Sequence, residues 1–358
     1  MKRLPDGREL DLCAYCPDLC LARCPVSLAS GDLTLSPWGK QSQLWRHLRG
    51  IPWGGLEGIR PLFMCLGCLA CQELCRHDVD VPGSLFAGRD LARREAPEIR
   101  IIRGEEPDGE AAAERLRDLV PDWRWTPDAE VLLLVEGIPL EAGGAEWLRQ
   151  VFAALDAVGD QAVGVNPDAV LQSGWTSWER GALGQAESSA RHLHARAGRY
   201  RRILAVSPEA ASFMRLAWPQ WELERPGAGP LTDYLADGAV RLAPLADPPL
   251  SAWHDPCHLV RYLDAGDAPR RILAALLGDR FVELPRARRE TVCCGAGGGM
   301  EETAPELCDA MARDLLGLLD ETGAQRLITG CPRCHRTLAA AAPGRVVSLY
   351  QVIAEAGP

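Results

Sequence analysis

Cysteine is the residue type whose number and spacing in this chain could do chemistry. There are fourteen cysteines in 358 residues: eight between positions 13 and 75, none from 76 to 256, and six from 257 to 334. Two separate cysteine chemistries are implied. The run Cys65-Leu-Gly-Cys68-Leu-Ala-Cys71-Gln-Glu-Leu-Cys75 has the C-x2-C-x2-C-x3-C spacing that wraps a cubane [4Fe-4S] cluster, because short loops carry three thiolates to three corners of one cube. In two-cluster ferredoxins the fourth cysteine of each run ligates the other cluster, so a second run is expected. Cys13-Ala-Tyr-Cys16-Pro-Asp-Leu-Cys20-Leu-Ala-Arg-Cys24-Pro25 supplies it. One cluster then takes Cys13, Cys16, Cys20 and Cys75, and the other takes Cys65, Cys68, Cys71 and Cys24. The first run has one extra residue before Cys20, and Arg76 stands where the second usually has proline; neither change removes a ligand. Two zinc knuckles are the competing reading, and a third cysteine at cluster spacing after each pair speaks against them.

The later cysteines come in three segments: Cys257 in His254-Asp-Pro-Cys-His258, Cys293-Cys294-Gly295 opening a glycine-rich loop to Gly299, and Cys331-Pro-Arg-Cys334 after an expected strand. Segments so distant meet where the loops following parallel strands form a crevice. Glycines there admit close backbone approach, and amides at the helix start after Pro332 can stabilise anionic sulfur. The reading is a further cluster, with zinc held by four of the five thiolates as the alternative. Cys308 belongs to neither set and is expected to pack as a small buried hydrophobe. His254, His258 and His335 adjoin the ligands and can tune them by hydrogen bonding. Trp38, Trp45, Trp53, Trp175 and Trp178 read as core or interface anchors. Gly295-Gly299 lacks a G-x-G-x-x-G frame and a following acidic residue, so no NAD or FAD is expected.

Those residues must be positioned by several elements. Residues 1-100 read as short helices broken by Gly and Pro, and 101-127 as a polar linker carrying a helix over Gly109-Leu119. Beyond them, apolar runs at 131-135, 202-206, 241-245, 280-284, 326-329 and 346-349 alternate with helical stretches such as Glu146-Val158 and Ala268-Leu277, the βαβ pattern of a parallel sheet. Arg202-Ile-Leu-Ala-Val-Ser-Pro-Glu-Ala210 echoes Arg326-Leu-Ile-Thr-Gly-Cys-Pro-Arg-Cys334, so a duplicated unit is expected. The fold class is therefore α+β and multidomain: 1-100 helical with two clusters, 101-127 linker, 128-240 one α/β repeat, and 241-358 a second.

Composition limits the alternatives. Net charge of -10 argues against a surface that tracks nucleic-acid phosphates. Apolar runs such as Val131-Val135 are far shorter than the roughly 20 residues that cross a bilayer. Met1-Lys-Arg-Leu-Pro-Asp-Gly7 shows no apolar signal core, which places the chain in the cytoplasm. In that reducing compartment the cysteines are expected to hold metal rather than form disulfides.

At Thr291-Val-Cys-Cys-Gly-Ala-Gly-Gly-Gly-Met300 the sequence resembles the cysteine-rich CCG-domain family, found in heterodisulfide reductase, in the iron-sulfur subunits of glycolate and lactate oxidation and in an anaerobic glycerol-3-phosphate dehydrogenase subunit. The family commonly places a two-cluster helical ferredoxin domain before two CCG domains, and in heterodisulfide reductase each five-cysteine set holds a non-cubane [4Fe-4S] cluster. The resemblance implies such a centre on Cys257, Cys293, Cys294, Cys331 and Cys334. Projected onto the first repeat, the same spacing falls on Glu136, Gln172-Ser173-Gly174, Ser207 and Ala210, so that repeat is degenerate. The expected function is an electron-transfer subunit relaying electrons to or from a partner: a flavoprotein, a membrane quinone-reactive subunit that would hold it at the membrane, or another Fe-S protein. The alternatives are a catalytic thiol-disulfide reductase subunit and a ferredoxin carrying a zinc-held docking domain.

Overall fold

A computed structural model describes residues 7-99, 101-102, 109-140, 143-224 and 227-357. The reading that residues 1-7 hold no signal core rests on positions of which 1-6 lie outside the described residues, as does the part of the linker at 103-108.

The N-terminal part is helical. Helices Gly7–Ala14, Pro25–Ser30, Pro37–Leu48, Leu56–Phe63 and Val81–Glu95 are joined by single turns at Leu19–Arg23 and Gln72–Leu74, which lie within the two cysteine runs. Side-chain caps explain two of the starts. Ser36 accepts from the Gly39 amide and Asp80 from the Gly83 amide, and each helix has proline in its first turn, where the missing N–H costs nothing. Helix Pro37–Leu48 packs on Gly7–Ala14, Leu56–Phe63 and Val81–Glu95 around fully buried Leu44, Leu62, Leu85 and Phe86. Left-handed backbone at Asp18, Gly67 and Leu69 turns the cysteine loops inward. Helix Gly109–Leu119 occupies the expected span of the linker.

The remainder holds two four-stranded parallel sheets. In the first, β1 (Val131–Leu134), β2 (Val163–Gly164), β3 (Arg202–Ala205) and β4 (Ala228–Pro230) lie in the order β2-β1-β3-β4. In the second, β5 (Ser251–Trp253), β6 (Phe281–Glu283), β7 (Arg326–Thr329) and β8 (Val346–Ser348) lie in the order β6-β5-β7-β8. The two orders are the same path through a sheet. The crossover helices correspond as well: Gly144–Ala157 with Asp267–Leu277 after the first strand, Leu183–Ala197 with Pro305–Glu321 before the third, and Pro208–Leu216 with Pro332–Ala341 after it. The last helix of each sheet, Leu231–Ala239 or Leu349–Glu355, packs on the first crossover helix of the other sheet, Asp267–Leu277 or Gly144–Ala157. The packing is reciprocal, and it brings the crevices of the two sheets together.

One expected strand is corrected. Residues 241-245 form no strand. Arg241 and Leu242 donate back to Gly238 and Ala239 in the C-terminal turn of helix Leu231–Ala239, Pro244 has no N–H to give a ladder, and Leu245 donates to Leu276. The strand of this region is β5, which begins after Pro248-Pro249.

Candidate metal centres

The early cysteines gather around two cavities. One is lined by Cys24, Cys65, Cys68 and Cys71 with Pro25, Val26 and Lys40. The other is lined by Cys13, Cys16, Cys20 and Cys75, with Cys71 lining both. These four-cysteine groups are the crossed sets. Each mixes one run with the fourth cysteine of the other, because the turns at Leu19–Arg23 and Gln72–Leu74 pack together. The walls are otherwise mostly apolar, and burial pushes the Cys13 thiol up to about 12. Cys20 is also raised, by burial and by its 3.2 Å hydrogen bond to the Asp18 carboxylate, and Cys71 rises with burial. Cys13, Cys20 and Cys71 are thus held neutral as free thiols and a metal is what would draw them into the thiolate form, whereas a hydrogen bond with Cys293 lowers Cys68 to about 6. Lys40, only 2 % exposed, places its Nζ 3.6 Å from the Cys24 sulfur. A buried ammonium among four thiols is costly unless it faces negative charge, which an anionic cluster with thiolate ligands would provide. The residues fit the group.

The later cysteines meet at the carboxyl ends of β5, β6 and β7. Cys257 opens the helical turn after β5, Cys293 and Cys294 lie in the loop after β6, and Cys331 caps the helix after β7, its sulfur accepting from the Cys334 amide at 3.4 Å. The thiols form a connected set. Cys293 interacts with Cys257 and Cys294, Cys294 with Cys334, and Cys334 with Cys331. Hydrogen bonds from Cys293 and Cys334 pull the Cys294 thiol well below its ordinary value, while Cys331 is pushed up by burial to about 11. Beside Cys294 stands His254, 1 % exposed, with neither ring nitrogen paired. A buried imidazole needs a partner, and a sulfur-rich anion next to Cys294 would supply one. This site fits an anionic iron-sulfur group as well. Among the described residues no three Cys, His, Asp or Glu side chains stand at the spacing of a single metal ion.

The first sheet faces this site with groups of its own. Glu209 accepts from the Cys331 thiol at 3.4 Å, and Ser212 shares a 2.8 Å hydrogen bond with Nδ1 of His258, whose pKa burial lowers to about 4. Glu179 accepts from the Gly298 amide at 2.9 Å and forms a two-pronged ion pair with Arg333 at 2.8 and 2.9 Å. Burial pushes the Glu179 carboxyl up, but Arg333 and the Gly298 amide outweigh it and hold it below the usual range. At the positions that correspond to the cysteines, Glu136 accepts from the Ser173 amide at 2.7 Å, and Ser207 caps its helix through the Ala210 amide as Cys331 caps the helix of the second sheet. Cys308 is buried in helix Pro305–Glu321, its thiol pushed up to about 12 by burial. His335 rests edge-on against Trp147, and Trp175 and Trp178 pack with Phe86 and Phe213. Sequence reasoning missed Lys40, Glu179 and Glu209. Each is a lone charge with no motif around it, and burial is what singles it out.

Residues 251–339 match the family model for the cysteine-rich domain, CCG. Over 86 residues the chain is 42% identical to a subunit of the dihydromethanophenazine:CoB–CoM heterodisulfide reductase from Methanosarcina barkeri, a match covering 24% of this chain and 21% of that protein. The chain thus spans about a fifth of the length of that relative. A subunit of the fumarate reductase (CoM/CoB) from Methanothermobacter marburgensis is 22% identical over 355 residues, covering 92% of this chain and 68% of that one. Among solved structures, a hypothetical protein from Helicobacter pylori superposes with a TM-score of 0.52 at 10% identity, over 94% of this chain and 71% of that chain. That likeness concerns the fold alone.

Proposed function

We propose that this chain is an iron-sulfur electron-transfer subunit with three centres: cubane clusters on Cys13, Cys16, Cys20 and Cys75 and on Cys65, Cys68, Cys71 and Cys24, and a CCG-domain cluster on Cys257, Cys293, Cys294, Cys331 and Cys334. The proposed organisation is a helical two-cluster domain followed by two CCG-type α/β repeats, the first without ligands. The observation that carries the reading is the gathering of thirteen of the fourteen cysteines into three adjoining groups. Bound at these thiolates, the clusters supply one-electron oxidation and reduction at potentials set by local charge, hydrogen bonding and solvent exposure.

The protein's own residues do the rest. Lys40 offsets negative charge at one cubane site, the mostly apolar walls exclude water, and His254 offers a donor at the CCG site. The relatives are named as reductase subunits, which supports a partner subunit that carries the terminal chemistry: a flavoprotein, a quinone-reactive membrane subunit or another Fe-S protein. We place the chain in the cytoplasm, held at the membrane, if at all, by that partner. Among the described residues no helix is long and apolar enough to cross a bilayer.

A second reading, a catalytic thiol-disulfide reductase subunit, is favoured by one observation. A surface pocket lies against the first turns of helix Pro332–Ala341, lined by Trp147, Pro332, His335 and Arg336 among others, and adjoins Cys331 in the chain. The test replaces Cys294 with serine. Cys294→Ser is expected to abolish one EPR signal of the reduced protein and leave two. If three signals survive, the CCG assignment is wrong; if turnover of a disulfide substrate by wild type disappears with the signal, the second reading replaces the first.

A further inference from the structure

The second cysteine run and the CCG loop are not merely close; they are clamped together by two buried guanidinium groups. Arg261, 6 % exposed, follows Cys257 in the turn after β5. It donates to the carbonyl of Cys68 at 2.8 Å, to that of Arg289 at 2.9 Å, and to that of Thr291, so one fork holds both the cysteine run and the approach to Cys293. The neighbouring Tyr262 donates to the Gly67 carbonyl at 2.6 Å. Arg89, fully buried in helix Val81–Glu95, donates to the Cys65 carbonyl at 2.8 Å, the Gly298 carbonyl at 2.9 Å, the Leu62 carbonyl at 2.8 Å and the Glu179 carbonyl. Glycine makes the approach possible. A Cβ at Gly297 would stand 2.1 Å from the Leu66 carbonyl oxygen, and one at Gly298 1.9 Å from that of Cys65. Inside this clamp the thiol of Cys68 lies against the thiol of Cys293.

We infer that the Cys68–Cys293 contact is where electrons cross between the cubane site of the second run and the CCG site, and that Arg261 is the positioning residue that holds the contact closed. This rests on the reading that both sites carry clusters. Electron transfer weakens steeply with separation, and here a thiol of the second run and a thiol of the later set are hydrogen-bond partners. The step itself is simple. One electron leaves one side and arrives at the other, whichever direction the partner imposes, with no bond made or broken and no proton required. Arg261 suits the place for two reasons. Its planar fork satisfies the buried carbonyls of Cys68 and Thr291 together with that of Arg289, and its fixed positive charge stands between two sites that bind anionic groups. Lysine would keep the charge but not the fork.

The test uses the full chain, purified anaerobically with its metal. Iron and zinc are counted first, and EPR of the fully reduced protein is then recorded for wild type, Arg261→Lys, Arg261→Gln and Tyr262→Phe. Wild type is expected to show spin-spin splitting that disappears in both Cys294→Ser and Cys65→Ser, which assigns it to these two centres. In Arg261→Gln, at unchanged iron content, the splitting should be lost and freeze-quench transfer between the two centres slowed. Arg261→Lys and Tyr262→Phe should retain part of each, and they carry the test if Arg261→Gln does not fold. A role confined to stability would lower the yield of loaded protein without changing the splitting in the molecules that load. About twelve irons with no splitting assignable to this pair, or splitting and transfer rate unaltered in the loaded variants, would overturn the inference and leave the functional reading standing. About eight irons with one zinc would overturn both.

Discussion

Single residues here combine a place in a cysteine group with a role in local structure, and the two can be separated. Cys331 is expected to ligate metal, and its sulfur also caps helix Pro332–Ala341, the place Ser207 takes at the corresponding helix of the first sheet. Serine at 331 should therefore remove the ligand but keep the cap. Cys331→Ser is expected to lose the CCG-site EPR signal with little change in thermal stability beyond loss of the metal, whereas Cys331→Ala should cost about 1 kcal/mol more through the missing cap. Glu179 shows the same doubling with charge. It pairs with Arg333, one residue before Cys334, and accepts from Gly298 in the glycine loop. Glu179→Gln leaves Arg333 without its partner and should lower stability by about 3 kcal/mol, read as a drop in the unfolding midpoint. No change would show that the pair is not structural. The grouping of the early cysteines was legible in sequence because their spacing is set over a few residues. Glu179, Arg89 and Arg261 were not, because they act on carbonyls and amides far away in the chain, and no spacing announces such a contact.

At the scale of elements, the βαβ alternation was legible wherever a strand was long and apolar, as at Val131–Leu134 and Arg326–Thr329. It failed at Val163–Gly164 and Ala228–Pro230, where two or three residues containing Gly or Pro carry no period, and it misread 241-245, an apolar run whose amides turn back to the preceding helix. The echo between residues 202-210 and 326-334 proved informative, since both segments are the third strand and following helix of sheets with the same order. The docking of one element on another depends on backbone without side chains. Gly298 has φ +64, and a methyl group there would meet the Cys65 carbonyl at 1.9 Å, so Gly298→Ala should disrupt the docking of the second cysteine run. Gly323, also at positive φ, has nothing within 4 Å of its missing Cβ, so Gly323→Ala should cost only the backbone strain of about 1 kcal/mol. Comparing the EPR spectra and unfolding midpoints of the two variants checks this. Equal effects would mean that the loop is strained but not packed.

The whole molecule is an asymmetric assembly: a helical part built around two cysteine-lined cavities, a sheet whose crevice is filled by Glu136, Ser173 and Ser207, and a sheet whose crevice holds five cysteines. Stability should follow that division. The helical part has short elements and a core lined by its own cysteines, so the crossed ligand sets would tie it together as metal does in small metal-dependent domains. Removing iron with a chelator is expected to raise hydrogen exchange first in helices Gly7–Ala14 and Pro25–Ser30, with β1 and β5 still protected. Uniform loosening would argue against separate contributions. If the three cysteine groups hold three four-iron centres, metal counted in the anaerobically purified full chain comes to about twelve irons per chain and no zinc; about eight irons with one zinc would mean that the later cysteines hold zinc instead.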